Sequence, residues 1–123
     1  MRVDISFKYL ERSNIINKAL DNNLKKIERR IRMFRRNDSI HISVHVEKNP
    51  HKEQYFCRSH IYLPLMKALV VAEKAKEVTL VINKTFSALL KQLEKVKQRR
   101  QKRRNNREKI ERREVDANKK FEG

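Results

Sequence analysis

The stretch from Glu77 to Lys102 carries a helical pattern with two opposite faces. At about 100° per residue, its apolar side chains share one stripe, so this side of the helix must be buried. These residues are Val78, Ile82, Phe86, Leu89, Leu93 and Val96. The opposite side carries four lysines, namely Lys84, Lys91, Lys95 and Lys102. Many such helices are ordinary solvated surface helices, but the stripe requires a second structural layer to cover it.

The net charge of the chain points to an anionic partner. The 123 residues include 32 Lys and Arg against 15 Asp and Glu, a formal net charge of +17. This charge exceeds what solubility requires, and a compact body repels itself at that charge unless an anion offsets it. Nucleic acid is the favoured anion. An anionic membrane surface is the second candidate, weakened because the chain has no apolar run of about 18 residues.

The side-chain inventory argues against an enzyme, a cofactor and a metal. A single glycine leaves no glycine-rich phosphate loop, and no Ser/His/Asp set or carboxylate pair shares one element. The lone Cys57 permits neither an internal disulfide nor a zinc site built from cysteines. One cysteine fits a reducing compartment, so we expect a cytoplasmic location.

The first third of the chain predicts a strand followed by a long helix. Apolar and polar residues alternate from Arg2 to Tyr9, which indicates a half-buried strand. Ser13 is a suitable N-cap for the helix that follows. The apolar stripe of that helix consists of Ile16, Leu20, Leu24, Ile27, Ile31 and Phe34. Its opposite side is basic, with Lys18, Lys25, Arg29, Arg32 and Arg36.

Three more strands are predicted before the second helix. Alternation resumes from Ile40 to Glu47, and again from Tyr55 to Leu63 after an Asn-Pro-His turn signal. An apolar, β-branched run from Lys67 to Ala72 predicts a fourth strand, reached through a tight turn near Leu65 and Met66. The order βαβββα predicts an α+β fold, in which a four-stranded sheet carries both helices packed on one face.

The predicted sheet leaves its other face to a set of aromatic, histidine and basic residues. His41 and His45, four residues apart on the second predicted strand, are about 13 Å apart, which is too far for both to bind one metal ion. Stacking of RNA bases on the two aromatic rings is a second possibility, and a pair of rings that simply covers a small sheet is the alternative. The set is His41, His45, Phe56, Arg58, His60 and Tyr62.

The composition changes after Val96, so we expect a folded domain over residues 1–96 and a basic tail over 97–123. Between Lys97 and Glu114 there are ten basic and three acidic residues, with Ile110 as the only apolar side chain. Such a segment cannot form a core, so it extends the second helix into solvent or is disordered until an anion orders it. The first 96 residues carry 20 basic and 10 acidic side chains, so the body is basic without the tail.

Several short motifs, in order and at matching spacing, resemble the short ribosome hibernation-promoting factors, the family that includes the ribosome-associated inhibitor protein. Lys26-Ile27-Glu28, Val46-Glu47-Lys48 and Leu63-Pro64 resemble the family's first helix and the ends of its second and third strands. The second helix matches best, at Glu77, Val78, Ile82, Leu89, Gln92, Leu93, Lys95 and Lys97. Thr79, Asn83 and Ala88 depart from the family's usual tyrosine, aspartate and lysine, and the glycines between strands three and four are missing.

The resemblance implies a protein that occupies the channel of the small ribosomal subunit where mRNA and tRNA bind. It would inhibit translation and protect an idle ribosome during stress. We expect the basic helix faces and the start of the tail to contact rRNA phosphates, which carry charge but no base code. The predicted rRNA-binding residues are Lys18, Lys25, Lys26, Arg29, Arg32, Arg36, Lys84, Lys91, Lys95, Lys97, Arg99, Arg100 and Lys102. A sequence-independent nucleic-acid-binding protein is the main alternative, and a membrane-surface or partner-binding module is the third.

Overall fold

The computed structural model describes residues 1–32, 40–63 and 68–96, and it confirms the predicted order of elements. A sheet of four strands combines with two helices. The elements are β1 (Arg2–Lys8), α1 (Asn14–Ile31), β2 (His41–Lys48), β3 (Tyr55–Tyr62), β4 (Leu69–Ala75) and α2 (residues 78–96). The chain divides into a compact unit Met1–Leu93 and a second unit Glu94–Gly123, of which residues 94–96 are described.

The strands lie in the sheet in chain order. β1 pairs with β2 in parallel, whereas the β2–β3 and β3–β4 pairs are antiparallel. In register, Ile5 lies beside Val44, Val44 beside Ser59, and Ser59 beside Val71. Because side chains alternate between the two faces, these four share the inner face, where Val44, Ser59 and Val71 are buried.

Ser59 places a hydroxyl group on this otherwise apolar inner face. Its side chain is fully buried, and Oγ donates a hydrogen bond to the carbonyl oxygen of Ser43 at 3.0 Å. A buried hydroxyl that has a hydrogen-bond partner destabilises the fold little. The core therefore tolerates Ser59, the one polar residue that interrupts the apolar positions of β3.

Helix α1 begins where the sequence predicts. Ser13 has extended backbone angles, and its side chain accepts a hydrogen bond from the backbone N–H of Ile16 at 3.3 Å. The helix is described to Ile31, with Arg32 as its C-cap, so the predicted continuation through Phe34 and Arg36 lies outside the described residues. The side chains that it buries are Ile16, Leu20, Asn23, Ile27 and Ile31.

Helix α2 buries a wider stripe than predicted. Ile82, Phe86, Leu89, Leu93 and Val96 are buried as expected, whereas Val78 is only half-buried. Val81 and Thr85 are also buried, and both are missing from the predicted stripe. The hydroxyl of Thr85 donates to the carbonyl oxygen of Val81 at 2.7 Å, so this polar side chain is satisfied within its own helix.

A hydrogen bond between the two helices shows that they lie side by side. The side-chain amide of Asn23, on α1, donates to the carbonyl oxygen of Ala19 at 2.7 Å and to Oδ1 of Asn83, on α2, at 2.8 Å. Asn23 is only 6% exposed, and an amide buried to this extent would be destabilising without hydrogen-bond partners. Its two hydrogen bonds satisfy it. Both helices therefore pack on the inner face of the sheet, as predicted.

All four strands depart from their predicted bounds: β2 is shifted by one residue, to His41–Lys48, and β3 ends one residue early, at Tyr62. The fourth strand, predicted over Lys67 to Ala72, is Leu69–Ala75, so the prediction placed it too early. The added residues include Glu73 and Lys74, which fit an edge strand because one side of its backbone meets solvent. The first strand ends at Lys8 because Tyr9 has a φ of 56°, in the left-handed region that ends a strand. The turn at Leu65 and Met66 lies outside the described residues.

Burial raises the pKa of the Cys57 thiol from 9.0 to about 11, and a hydrogen bond with Thr85 acts in the opposite direction. The folded state keeps the proton that an unfolded chain loses near pH 9. We therefore expect Cys57 to stabilise the fold below pH 9, and this contribution to fall as the pH rises to 11. The expected loss is on the order of 2 kcal/mol.

Urea unfolding at pH 8 and pH 10.5 measures this effect, with Cys57→Ala as the control, because lysines and tyrosines also titrate in this range. The free energy of unfolding of the wild-type chain should fall more steeply with pH than that of the variant. Equal pH dependence in the two chains would contradict the expected ionisation of Cys57.

Candidate nucleic-acid interface

The predicted basic residues that the structure describes are all exposed. On α1 and its C-cap these are Lys18, Lys25, Lys26, Arg29 and Arg32, and on α2 they are Lys84, Lys91 and Lys95. Seven of them belong to the unit Met1–Leu93 and are here called the helix face, whereas Lys95 belongs to the second unit. The other predicted residues, Arg36, Lys97, Arg99, Arg100 and Lys102, lie outside the described residues.

The spacing of the helix face follows from the α-helical pitch. Lys18, Lys25 and Arg32 recur every seven residues, which places their Cα atoms about 10 Å apart along one side of α1. Lys84 and Lys91 repeat the same interval on α2. Because the two helices lie side by side, the two rows of cations form one surface. Lysine is a point charge on a flexible stem, so such rows bind phosphate groups without reading bases.

The cations of the helix face have no carboxylate partners among the residues that the structure describes. Within the described part of the chain, each of these positive charges therefore faces solvent without an ion-pair partner. Salt or a bound polyanion reduces the repulsion between these like charges. When the polyanion is a nucleic acid, binding also releases counterions from its phosphates, which favours the complex. The helix face is accordingly the part of the described surface best suited to a phosphate backbone.

The outer face of the sheet differs from the helix face, because two of its carboxylates pair with neighbouring cations. The carboxylate of Asp4 lies 3.8 Å from Arg2 Nε and 2.5 Å from His41 Nε2. Glu47 pairs with Lys8 at 3.6 Å. Each carboxylate offsets neighbouring positive charge, so this face attracts an anion less strongly than the helix face does.

The predicted aromatic pair does not form one stacking platform. Phe56 and Tyr62 are six residues apart on β3, about 20 Å at the rise of a strand, so one base cannot contact both rings. Tyr62 is 47% exposed and lies nearly parallel to His41 and His60, with ring centroids 5.5 and 6.1 Å away. His45 contributes to the pairing of β1 with β2, since Ser6 Oγ and His45 Nδ1 are hydrogen-bonded at 2.8 Å.

A hollow of about 440 Å³ lies beside the lysines of α2. It is lined by Lys84 and Lys91, together with Asn83, Ser87 and Ala88 of the same helix and Glu73 of β4. Sequence reasoning did not select Ser87, because a short polar residue on an exposed helix side carries no signal of its own. The hollow places the Ser87 hydroxyl next to two cations, a combination that suits the sugar-phosphate backbone of RNA.

The described residues also bear on metal-binding and membrane-spanning functions. Among residues 1–32, 40–63 and 68–96, no three His, Cys, Asp or Glu side chains come together as a set that could hold a metal ion. In the same ranges, no helix is long and apolar enough to cross a membrane.

Comparisons with known proteins connect this geometry to a family. A family profile described as sigma 54 modulation protein / S30EA ribosomal protein matches residues 3–101. A ribosomal subunit interface protein from Coxiella burnetii has a similar structure, with a TM-score of 0.62 and 16% identity over 79% of this chain and 98% of that one. The N-terminal domain of Protein Y from Thermus thermophilus gives a TM-score of 0.61 and 15% identity over 78% and 99%. No curated protein matches the chain.

Proposed function

Because the chain belongs to the family of sigma 54 modulation and S30EA ribosomal proteins, we propose that it is a ribosome-binding factor that regulates translation. Family membership agrees with the resemblance drawn from the sequence to short hibernation-promoting factors. Both structural neighbours share the fold, and the one from Coxiella burnetii is a ribosomal subunit interface protein by name. We infer a binding role in the cytosol, with no catalysis and no cofactor.

The observation that carries this proposal is the unpaired helix face. A ribosome presents folded RNA, whose surface is a dense array of phosphates recognised by shape and charge. The helix face has seven exposed cations, five of them in two rows, without carboxylate partners in the described part of the chain, and it matches such a surface better than the other faces do. Specificity would come from the fit of a rigid βαβββα body to its site, since lysine–phosphate contacts carry no base code.

We further propose that the binding site is the mRNA and tRNA channel of the small subunit, so that the protein blocks translation on idle ribosomes. The sequence resemblance supports this location, and the helix face supplies the contacts to rRNA. Asn83, which stands where the family usually has aspartate, supports the body rather than the contact, because its Oδ1 accepts the hydrogen bond from Asn23. An aspartate could accept the same hydrogen bond.

A sedimentation experiment tests the proposal directly. Purified small subunits, large subunits and free duplex RNA are each mixed with the full chain, and the bound fraction is measured with increasing mRNA and initiator tRNA as competitors. One saturable site on the small subunit, lost on addition of mRNA with tRNA, is the expected result. Similar affinity for small subunits, large subunits and free duplex RNA, without saturation at one site, would instead identify a general nucleic-acid-binding protein.

The basic tail is expected to strengthen binding without creating the site. A chain ending at Val96 lacks the ten basic residues between Lys97 and Glu114. If several of these reach phosphates, their removal reduces the slope of log affinity against log salt by nearly one unit per lost contact. We expect the shortened chain to compete with mRNA and tRNA still, with lower affinity at low salt and a shallower slope.

Binding constants at four or more salt concentrations, measured for both chain lengths, decide the role of the tail. Parallel slopes would show that the tail contacts no phosphates. Complete loss of competition by the shortened chain would place the primary site in the tail instead of on the helices.

A further inference from the structure

A cleft of about 350 Å³ opens at the end of the sheet where β2 connects to β3, and no part of the ribosome-binding proposal uses it. Its volume lies within the range of about 300 to 1,000 Å³ that is typical of small-molecule sites. The lining includes three aromatic rings, two lysines and an amide, namely Tyr9, Tyr55, Phe56, Lys48, Lys74 and Gln54. We propose that this cleft binds a nucleotide, either free in solution or as one residue of an RNA strand.

The aromatic side chains supply a surface for the base. Tyr9 is 63% exposed, and its φ of 56° turns the chain at the end of β1, beside the cleft. Lysines already lie near two of the rings, with Lys8 Nζ 5.2 Å from the ring centroid of Tyr9 and Lys48 Nζ 6.0 Å from that of Tyr55. A nucleobase stacks on such rings whatever its identity, because every base has a π-face.

The charges of the lining favour a phosphate beside the base. Lys48 and Lys74 have no carboxylate partner among the described residues, whereas the one acidic residue of the lining, Glu47, is paired with Lys8 at 3.6 Å. Within the described part of the chain, the cleft therefore presents two cations that form no ion pair. Aromatic rings next to free cations are the combination that binds single-stranded nucleic acid, and an uncharged aromatic ligand would leave the cations without a partner.

Hydrogen bonds hold the turn that carries part of the cleft. The backbone N–H of Asn49 donates to the carbonyl oxygen of Gln54 at 2.8 Å, and the N–H of His51 donates to Oδ1 of Asn49 at 2.9 Å. The side-chain amide of Gln54 is half-buried, lines the cleft, and forms no hydrogen bond within the described part of the chain. An amide has both a donor and an acceptor, so it can pair with the edge of a stacked base.

The cleft can be tested independently of the ribosome, because its lining residues lie on the strands and the turns and none lies on α1 or α2. Full-length ¹⁵N-labelled protein is titrated with AMP, with adenosine, with inorganic phosphate, and with a single-stranded RNA of five adenosines. Amide chemical shifts locate each ligand, and calorimetry gives its affinity. The variants are Tyr9→Ala and Lys74→Gln, both at exposed positions, with Arg2→Gln at the opposite end of the sheet as the matched control.

We expect AMP or the oligonucleotide to shift the signals of Tyr9, Gln54 and Phe56, and inorganic phosphate alone to leave them in place. Tyr9→Ala should weaken binding about tenfold, the usual effect of removing one stacking ring. Lys74→Gln should abolish the preference for AMP over adenosine, and Arg2→Gln should change neither result.

The ligands also distinguish the source of the nucleotide. Shifts with both AMP and the oligonucleotide indicate that free nucleotides bind, whereas shifts with the oligonucleotide alone indicate a residue of an RNA strand. The proposal is overturned if neither ligand shifts the signals of the cleft, or if Tyr9→Ala and Lys74→Gln bind both ligands as tightly as the wild-type chain does. Failure of ribosome binding in the sedimentation experiment would leave these outcomes unaffected.

Discussion

Reversal of two charges on the helix face, Lys25→Glu with Lys91→Glu, is expected to weaken ribosome binding by about 100-fold or more. Each substitution removes a cation that can contact phosphate and replaces it with an anion that the RNA backbone repels. Both side chains are exposed, so the free energy of unfolding should change by less than about 1 kcal/mol in total. Titration of labelled protein with purified small subunits measures the affinity, and a thermal melt followed by circular dichroism measures the stability.

The matched control carries the same change in net charge away from the helices. Lys52→Glu with Arg58→Glu reverses two exposed cations, one in the β2–β3 connection and one on the outer face of the sheet. Retained ribosome binding in the control, together with loss in the helix-face variant, would locate the interface. Equal losses would mean that overall charge determines binding, as expected of a general nucleic-acid-binding protein.

Phe86→Ala is expected to lower the free energy of unfolding by about 3 to 5 kcal/mol. Phe86 is fully buried and is the largest such side chain among the described residues. Its removal loses the apolar surface of the ring and leaves a cavity that the surrounding helices and sheet fill only in part. This is a large share of the stability of a domain of this size, so the variant should be partly unfolded at 37 °C. Urea denaturation followed by circular dichroism gives the value.

Leu80→Ala serves as the control for Phe86→Ala, because it shortens an apolar side chain on the same helix that is 47% exposed. It should lower the free energy of unfolding by less than about 1 kcal/mol, since little buried surface is lost. Comparable effects of the two substitutions would show that α2 does not pack through the stripe that contains Phe86.

The order of elements could be predicted because two simple periods alternate along this chain. A period of two marks Val3, Ile5 and Phe7, and a period near 3.6 marks Ile82, Phe86 and Leu89. Which face meets the core follows from the same periods. The exposed side of α1 and α2 was predicted for the same reason, since Lys25 and Lys91 lie opposite the apolar stripes.

The residues that escaped prediction are polar groups whose partners are distant in the sequence. Asn23 resembles a surface residue until Asn83, sixty positions later, accepts its hydrogen bond. Thr85 can be buried because its hydroxyl donates a hydrogen bond to the carbonyl oxygen of Val81 in the same helix. The cleft was missed for a related reason, because Tyr9 follows β1, Phe56 lies on β3 and Lys74 lies on β4. No local pattern signals a contact that only the fold creates.

The parallel pairing of β1 with β2 has a consequence for how the chain folds. Arg2 lies beside His41, 39 residues away, whereas Lys48 lies beside Tyr55, seven residues away. Closing the longer loop costs about 1.5 kcal/mol more in chain entropy than closing the shorter one. The antiparallel meander from β2 to β4 can therefore form through local contacts, whereas docking of β1 must wait until α1 has folded across the inner face.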